Sequence, residues 1–124
     1  MSPARWCTGI GSLILGVFGI LHGTRLGKVE EMMTAGGVKA PLDGLVKASW
    51  LIFSVEMVLV AVIALVASRM QQGKAIVLLC AAMNAANGLL VWHFFGLFIG
   101  VYAVIVVAIL YLVGGLLQRS ETAA

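Results

Sequence analysis

Residues 75–118 read AIVLLCAAMNAANGLLVWHFFGLFIGVYAVIVVAILYLVGGLLQ and contain no Asp, Glu, Lys or Arg. A transmembrane helix needs about 20 consecutive, mostly apolar residues, so this stretch is long enough for two membrane spans. The turn between them is predicted at Trp92–Gly96, which gives helices over about 75–93 and 97–117. A turn at Asn87–Gly88 is also compatible with the sequence, but it would leave a helix too short to cross a membrane.

The composition of the whole chain agrees with a membrane protein. The 124 residues are 62% hydrophobic and 10% charged, whereas a soluble domain has about 25% charged residues. The mean hydropathy is +1.11. Soluble globular proteins and disordered chains are therefore excluded. The 8 Lys and Arg residues are scattered rather than clustered, which excludes a nucleic-acid-binding module and leaves the lipid bilayer as the expected partner.

Two further apolar stretches complete the predicted architecture. Residues 6–23 carry no formal charge, and residues 46–68 carry one, at Glu56. The first stretch lacks the Ala-x-Ala cleavage pattern of a signal peptide, so we expect it to be a helix of the mature protein. The prediction is an all-α, four-helix transmembrane bundle that forms a single integral membrane domain over residues 1–124.

The long segment between the first two spans has its own pattern. Leu26, Val29, Met32 and Met33 recur at helical spacing with charged residues between them, and Gly36–Gly37 can end a helix. This pattern predicts a short amphipathic helix lying on the membrane surface. Its role is either to fill space or to gate access to a site beneath it.

Orientation depends on the distribution of basic residues. The terminus side and the opposite side carry equal numbers, namely Arg5, Arg69, Lys74 and Arg119 against Arg25, Lys28, Lys39 and Lys47. We expect a bacterial inner-membrane protein with cytoplasmic termini, because the second set shares its loop with three acidic residues. Dual insertion is the alternative.

The most informative polar residue is Glu56, since carboxyl groups inside membrane spans are rare and usually face the bundle interior. Glu56 and Asn87 each lie about eight residues from the same membrane face, or about 12 Å deep. We therefore predict that they face a common cavity with polar atoms within about 6 Å of each other. Asn84, one turn deeper, and Tyr102, at a similar depth, are candidate ligand contacts. The alternative is that Glu56 and the Asn residues only bond neighbouring helices together.

Two histidines and two tryptophans are predicted at the membrane interface above Glu56. His22 and His93 close their spans, and both could relay protons to a site at Glu56. Trp50 and Trp92 either belong to the interfacial aromatic belt or contact a ligand. No spacing typical of a metal site supports metal binding, and haem ligation by the histidine pair is a minor alternative.

Small residues mark places where helices can approach closely. The first span is rich in glycine, and Gly96 and Gly100 form a GxxxG pattern at the start of the last span. Packing within the bundle is the favoured interpretation, and a homodimer through Gly96 and Gly100 is the alternative. Cys7 and Cys80 are expected to be small packing residues.

The layout resembles the DoxX-like small four-helix membrane proteins. The matching features are the glycines from Gly16 to Gly19, the acid Glu56, the basic residue Arg69 that closes the second span, and the alanines from Ala81 to Ala86. The resemblance implies association with membrane redox complexes, including quinol-oxidase and thiol-redox assemblies.

Three functions are compatible with these residues. The leading hypothesis is that a small lipophilic or amphipathic molecule binds in an intramembrane polar pocket, with acid/base or quinone-linked redox chemistry centred on Glu56. No cofactor is required by the sequence, although haem or quinone would be compatible with it. The alternatives are a small proton-coupled transporter, acting as a dual-topology dimer, and an accessory subunit of a membrane redox complex.

Overall fold

The computed structural model describes residues 1–118, so Arg119 lies outside the described residues. This part of the chain is helical, without strands, and forms α1 (Pro3–Thr24), α2 (Leu26–Ala35), α3 (Leu42–Ala67), α4 (Lys74–Phe95) and α5 (Ile99–Leu117). All except α2 are long and apolar enough to cross a membrane. The predicted number of helices of this kind is confirmed, and their length and composition suggest an integral membrane protein.

The helix boundaries differ from the predicted ones at two places. Helix α3 begins at Leu42 rather than near residue 46, with Asp43 in its first turn, where a carboxylate interacts favourably with the helix dipole. Helix α4 continues to Phe95 and ends at Gly96, whose φ of +76° favours glycine. The turn is therefore shifted about two residues beyond Trp92–Gly96, because Gly96 supplies the conformation that stops the helix. Asn87 and Gly88 lie inside α4, as predicted.

The four long helices form a ring in the order α1, α3, α4 and α5. Helix α1 packs closely against α3 and α5, and α4 packs closely against α5, whereas α3 and α4 are in looser contact. The ring is best packed in the half near the chain termini, where Tyr111 is fully buried. Its hydroxyl is 3.1 Å from Ser12 Oγ. A Cβ added at Gly11 would lie 2.9 Å from the Tyr111 ring, so glycine is needed there for α1 to approach α5.

The predicted GxxxG surface is not formed. Gly96 lies in the turn before α5, and Gly100 is buried beside the rings of Phe18 and Phe98. The expectation that the two glycines share a helix face is therefore wrong, because α5 begins only at Ile99. A homodimer stays an untested prediction and has lost the surface on which it was based.

The amphipathic helix predicted after the first span is confirmed as α2. Met33 is buried, Leu26 and Val29 are half-buried, and Met32 is exposed. Lys47 on α3 lies 3.2 Å from the Glu30 carboxylate on α2. Helix α2 therefore lies at the membrane face opposite the chain termini, beside the start of α3.

Candidate functional site

A cavity of about 510 Å³ lies inside the half of the bundle away from the termini. It is bounded by the end of α1, the first part of α3, the end of α4 and the start of α5. Its lining is mainly apolar and includes the aromatic rings of Phe18, Trp50, Phe53, Phe95 and Phe98. His22 and Ser49 are the lining residues with polar side chains besides the Trp50 indole.

The exposure of the lining residues shows which end of the cavity is open. Gly88, Gly100, Val101 and Val104 are buried and form the deep end. Leu45, Ser49, Phe95 and Phe98 are exposed, with Phe95 exposed over 77% of its surface. The mouth therefore lies near the turn between α4 and α5, at the level expected for the membrane interface.

His22 is held in the cavity wall by contacts with α3. Its Nδ1 lies 2.8 Å from Ser54 Oγ, and its ring stacks on Trp50 with 3.8 Å between centroids and 15° between planes. Phe53 contacts the imidazole edge-on at 5.4 Å. The position of the ring is thus fixed on two sides.

The backbone also explains why α1 and α3 meet at this point. The Trp50 Nε1–H donates to the His22 carbonyl at 2.8 Å, near the end of α1, where the same carbonyl also accepts from the Arg25 N–H at 3.2 Å. A Cβ at Gly19 would lie 3.0 Å from the Ser54 carbonyl oxygen. Glycine at this position lets α1 approach α3 closely enough for His22 to reach Ser54.

The Glu56–Asn87 contact is present. Asn87 Nδ2 donates to Glu56 Oε1 at 2.8 Å, so the predicted proximity of their polar atoms is confirmed. Both side chains are half-buried. Neither is among the residues that line the cavity, so the predicted shared cavity is not seen at this pair.

Helical spacing nevertheless places the pair close to the deep end of the cavity. Glu56 follows the lining residue Phe53 by three positions, and Asn84 precedes the lining residue Gly88 by four. Residues three or four apart lie one above the other on a helix face, about 5.4 Å apart along the axis. Glu56 and Asn84 therefore lie about one turn below these lining residues, and together with Asn87, which directly precedes Gly88, they form a polar layer at the deep end of the cavity.

Asn84 and Tyr102 are not part of the Glu56 contact. Asn84 is buried, and its Nδ2 donates to the Cys80 carbonyl of its own helix at 2.9 Å. Tyr102 is 54% exposed and makes no hydrogen bond to Glu56 among the described residues. Tyr102, a candidate ligand contact at the depth of Glu56, instead lies on the outer surface because of its position on α5.

The two remaining candidates also lie on the outside. Trp92 is 46% exposed, and His93 is exposed with its ring edge-on to Phe94 at 4.9 Å. His93 follows Asn84 by nine residues, or about 180° around a helix, and accordingly Asn84 is buried while His93 is exposed. Within residues 1–118, no group of three His, Cys, Asp or Glu side chains is placed to hold a metal ion.

The sequence interpretation missed Ser54, Phe53, Phe18 and Ser49. Ser54 had one detectable signal, since it is a polar residue four positions after Trp50 in an apolar span. Its partnership with His22 depends on how two helices are rotated against each other, which the hydropathy pattern of a strongly apolar span does not define.

No family model, curated protein or solved structure matches this chain. The DoxX-like resemblance therefore stays a prediction from the layout of the sequence.

Proposed function

We propose that the protein binds a small lipophilic or amphipathic molecule in the cavity between its four spanning helices. The observation that carries this proposal is a cavity of about 510 Å³ with five aromatic rings and one imidazole in its wall. Binding sites for small molecules have volumes of about 300–1,000 Å³ and combine an apolar lining with a few oriented polar groups.

Each part of the wall has a proposed role. The rings of Phe18, Phe53 and Phe98 contact the apolar body of the ligand, because aromatic side chains offer large surfaces with defined stacking geometry. His22 bonds to its polar group. The exposed residues at the mouth admit the molecule from the membrane interface.

Glu56 is proposed to exchange a proton at the deep end of the cavity. Asn87 occupies one carboxyl oxygen, and the second oxygen is available to carry a proton. A carboxyl group near the middle of a 26-residue spanning helix is expected to have a function as well as a bonding partner. Any acid/base step on a bound molecule would use this group, with His22 nearer the mouth.

The decisive experiment is to identify what the protein carries from its membrane. The purified chain in native-lipid nanodiscs would be extracted and analysed by mass spectrometry. The variant Val91→Trp places an indole in the cavity wall. The control variant Leu90→Trp places the same indole at the neighbouring position, which is exposed and does not line the cavity. We expect a small non-phospholipid molecule with the wild type and Leu90→Trp, and at least tenfold less with Val91→Trp. Recovery of phospholipid alone, in equal amounts from all three proteins, would contradict the proposal.

The proposed orientation is one with cytoplasmic termini in a bacterial inner membrane, which places the cavity mouth on the opposite side. Single cysteines at Ser2 and Gly36, in a background with Cys7→Ala and Cys80→Ala, would be labelled in intact cells. We expect an impermeant reagent to label position 36 alone. Equal labelling at both positions would establish dual insertion and favour the transporter hypothesis.

A further inference from the structure

Ser54 determines the hydrogen-bonding state of His22. Its hydroxyl oxygen is 3.0 Å from the Trp50 carbonyl oxygen and 2.8 Å from His22 Nδ1. A hydroxyl has one hydrogen to donate, and a carbonyl can only accept. Both contacts are satisfied only when Ser54 donates to Trp50 and accepts from a hydrogen on His22 Nδ1.

The same arrangement leaves His22 Nε2 with a free lone pair. A neutral imidazole carries one hydrogen, so the ring that donates from Nδ1 accepts at Nε2. A second proton would create a cation in an apolar wall, where burial of an unpaired charge is costly. Among residues 1–118, the ion pairs join Lys47 to Glu30 and Asp43, and no carboxylate pairs with His22.

Nε2 is also accessible rather than sealed within the packed residues. No hydrogen bond to it is formed within the described part of the chain. No side-chain nitrogen or oxygen of residues 1–118 is both sealed from the surface and without a partner, so Nε2 reaches accessible space. His22 lines the cavity, and stacking on Trp50 fixes the plane in which the lone pair lies.

We infer that the cavity selects lipophilic molecules that carry a hydroxyl or another hydrogen-bond donor, such as a phenol or an apolar alcohol. The donor bonds to His22 Nε2 while the apolar body lies against the aromatic wall. A ketone, ester or ether of the same shape would bring an oxygen lone pair toward the lone pair of Nε2. Sites built to bond a hydroxyl discriminate against analogues without it. This inference rests on the proposed binding function of the cavity.

The test compares two ligands that differ by one methyl group on oxygen, which removes the ability to donate. Tritiated 2-naphthol and 2-methoxynaphthalene share a ring system and an oxygen, but the methyl ether has no hydrogen to donate. Their binding to the full chain in phosphatidylcholine nanodiscs would be measured after subtraction of binding to empty nanodiscs. We expect 2-naphthol to bind about tenfold more tightly, in line with one additional buried hydrogen bond.

Two variants separate recognition from packing. His22→Phe keeps a ring to stack on Trp50 and removes both nitrogens, so the two affinities should become equal while that of the methyl ether is unchanged. Ser54→Ala keeps the imidazole and removes the group that fixes its hydrogen, so the preference for 2-naphthol should decrease without disappearing. A variant that merely disturbed the fold would weaken both ligands together.

The hydrogen on His22 can be observed directly. The chain contains two histidines, so His93→Gln in the tag-free protein leaves His22 as the single source of imidazole signals. Nitrogen-15 NMR should show hydrogen on Nδ1 and none on Nε2. A hydrogen on Nε2 would overturn the inference.

The binding outcomes distinguish this inference from the proposed function. If both naphthalenes bind equally to the wild type, and more weakly to Val91→Trp, the cavity is a binding site without selectivity for donors and the inference is overturned. If neither binds to the wild type more tightly than to Val91→Trp, both the inference and the binding function are overturned.

Discussion

Small buried residues occur in both halves of the bundle, but one half is densely packed and the other contains a cavity. Near the termini, buried side chains such as Leu15, Ala64 and Tyr111 belong to one continuous core. In the half of the bundle nearer α2, the deep end of the cavity wall also contains small buried residues, Gly88 and Gly100. A cavity of about 510 Å³ nevertheless remains in this half. Small residues therefore do not by themselves close a membrane bundle.

The difference lies in where the large rings are placed. In the packed half, the Tyr111 ring lies against Gly11 and its hydroxyl meets Ser12. In the open half, the rings of Phe18 and Phe98 lie beside Gly100, and Phe95 lies at the exposed mouth, so these rings surround the cavity rather than fill it. Dense packing in a membrane depends on large side chains that reach the centre of the bundle, since van der Waals contact rather than the hydrophobic effect holds the helices together.

The strongest test of this contrast is to enlarge a residue in each half. Ala64 is fully buried, so Ala64→Leu should destabilise the protein by about 3 kcal/mol, the upper range for overpacking a well-filled core. Val91→Leu extends into the cavity and should change stability by less than about 0.5 kcal/mol. Unfolding in mixed detergent micelles would measure both.

The control for Ala64→Leu is Ala82→Leu, which makes the same change at an exposed position on α4. We expect little effect there. Equal losses for Ala64→Leu and Val91→Leu would show that the two halves are packed alike and would remove the contrast.

The second prediction concerns the polar layer between the halves. Glu56→Gln keeps an oxygen to accept from Asn87, so the free energy of unfolding should change by less than about 0.5 kcal/mol, whereas Glu56→Leu leaves the amide of Asn87 unpaired and should cost about 1–3 kcal/mol. Because a carboxamide cannot exchange protons as a carboxyl does, ligand binding or activity that uses the Glu56 proton should fall at least tenfold in the Gln variant, or about 1.4 kcal/mol.

Ligand affinity and unfolding would be measured on the same preparations. Unchanged affinity in Glu56→Gln would mean that the carboxyl only bonds α3 to α4. That result would confine the binding site to the residues that line the cavity.

The third prediction isolates one bond of the packed half. Tyr111→Phe removes the 3.1 Å contact with Ser12 while preserving the ring that fills the space beside Gly11. Hydrogen bonds between membrane helices average about 0.6 kcal/mol, so we expect a loss of about that size. A double-mutant cycle with Ser12→Ala would measure the coupling, and a coupling near zero would assign the stability of this half to packing alone.

The helices and one polar contact could be predicted from the sequence, whereas the cavity could not. The helices follow from local hydropathy, and the Glu56–Asn87 contact followed from depth alone, since antiparallel helices bring residues of equal depth together. The cavity was not predictable in the same way. It depends on the rotation of each helix, which directs Tyr102 outward and His22 toward Ser54, and a uniformly apolar span carries little information about rotation.

The smallest expected effect concerns α2, which lies beside the open half. Glu30→Gln removes the nearer of the two carboxylates beside Lys47, at 3.2 Å, and leaves Asp43 at 4.0 Å. Exposed ion pairs contribute about 0.2–1 kcal/mol. We therefore expect a loss below about 0.5 kcal/mol at low salt and none at 1 M salt, where screening acts within about 3 Å. Glu31→Gln is the matched control, because Glu31 is exposed and forms no ion pair among residues 1–118. Ligand affinity should be unchanged in both variants, since no residue of α2 lines the cavity. A loss of affinity in Glu30→Gln alone would show that α2 controls the mouth, which would make the open half a gated site rather than one open to the interface.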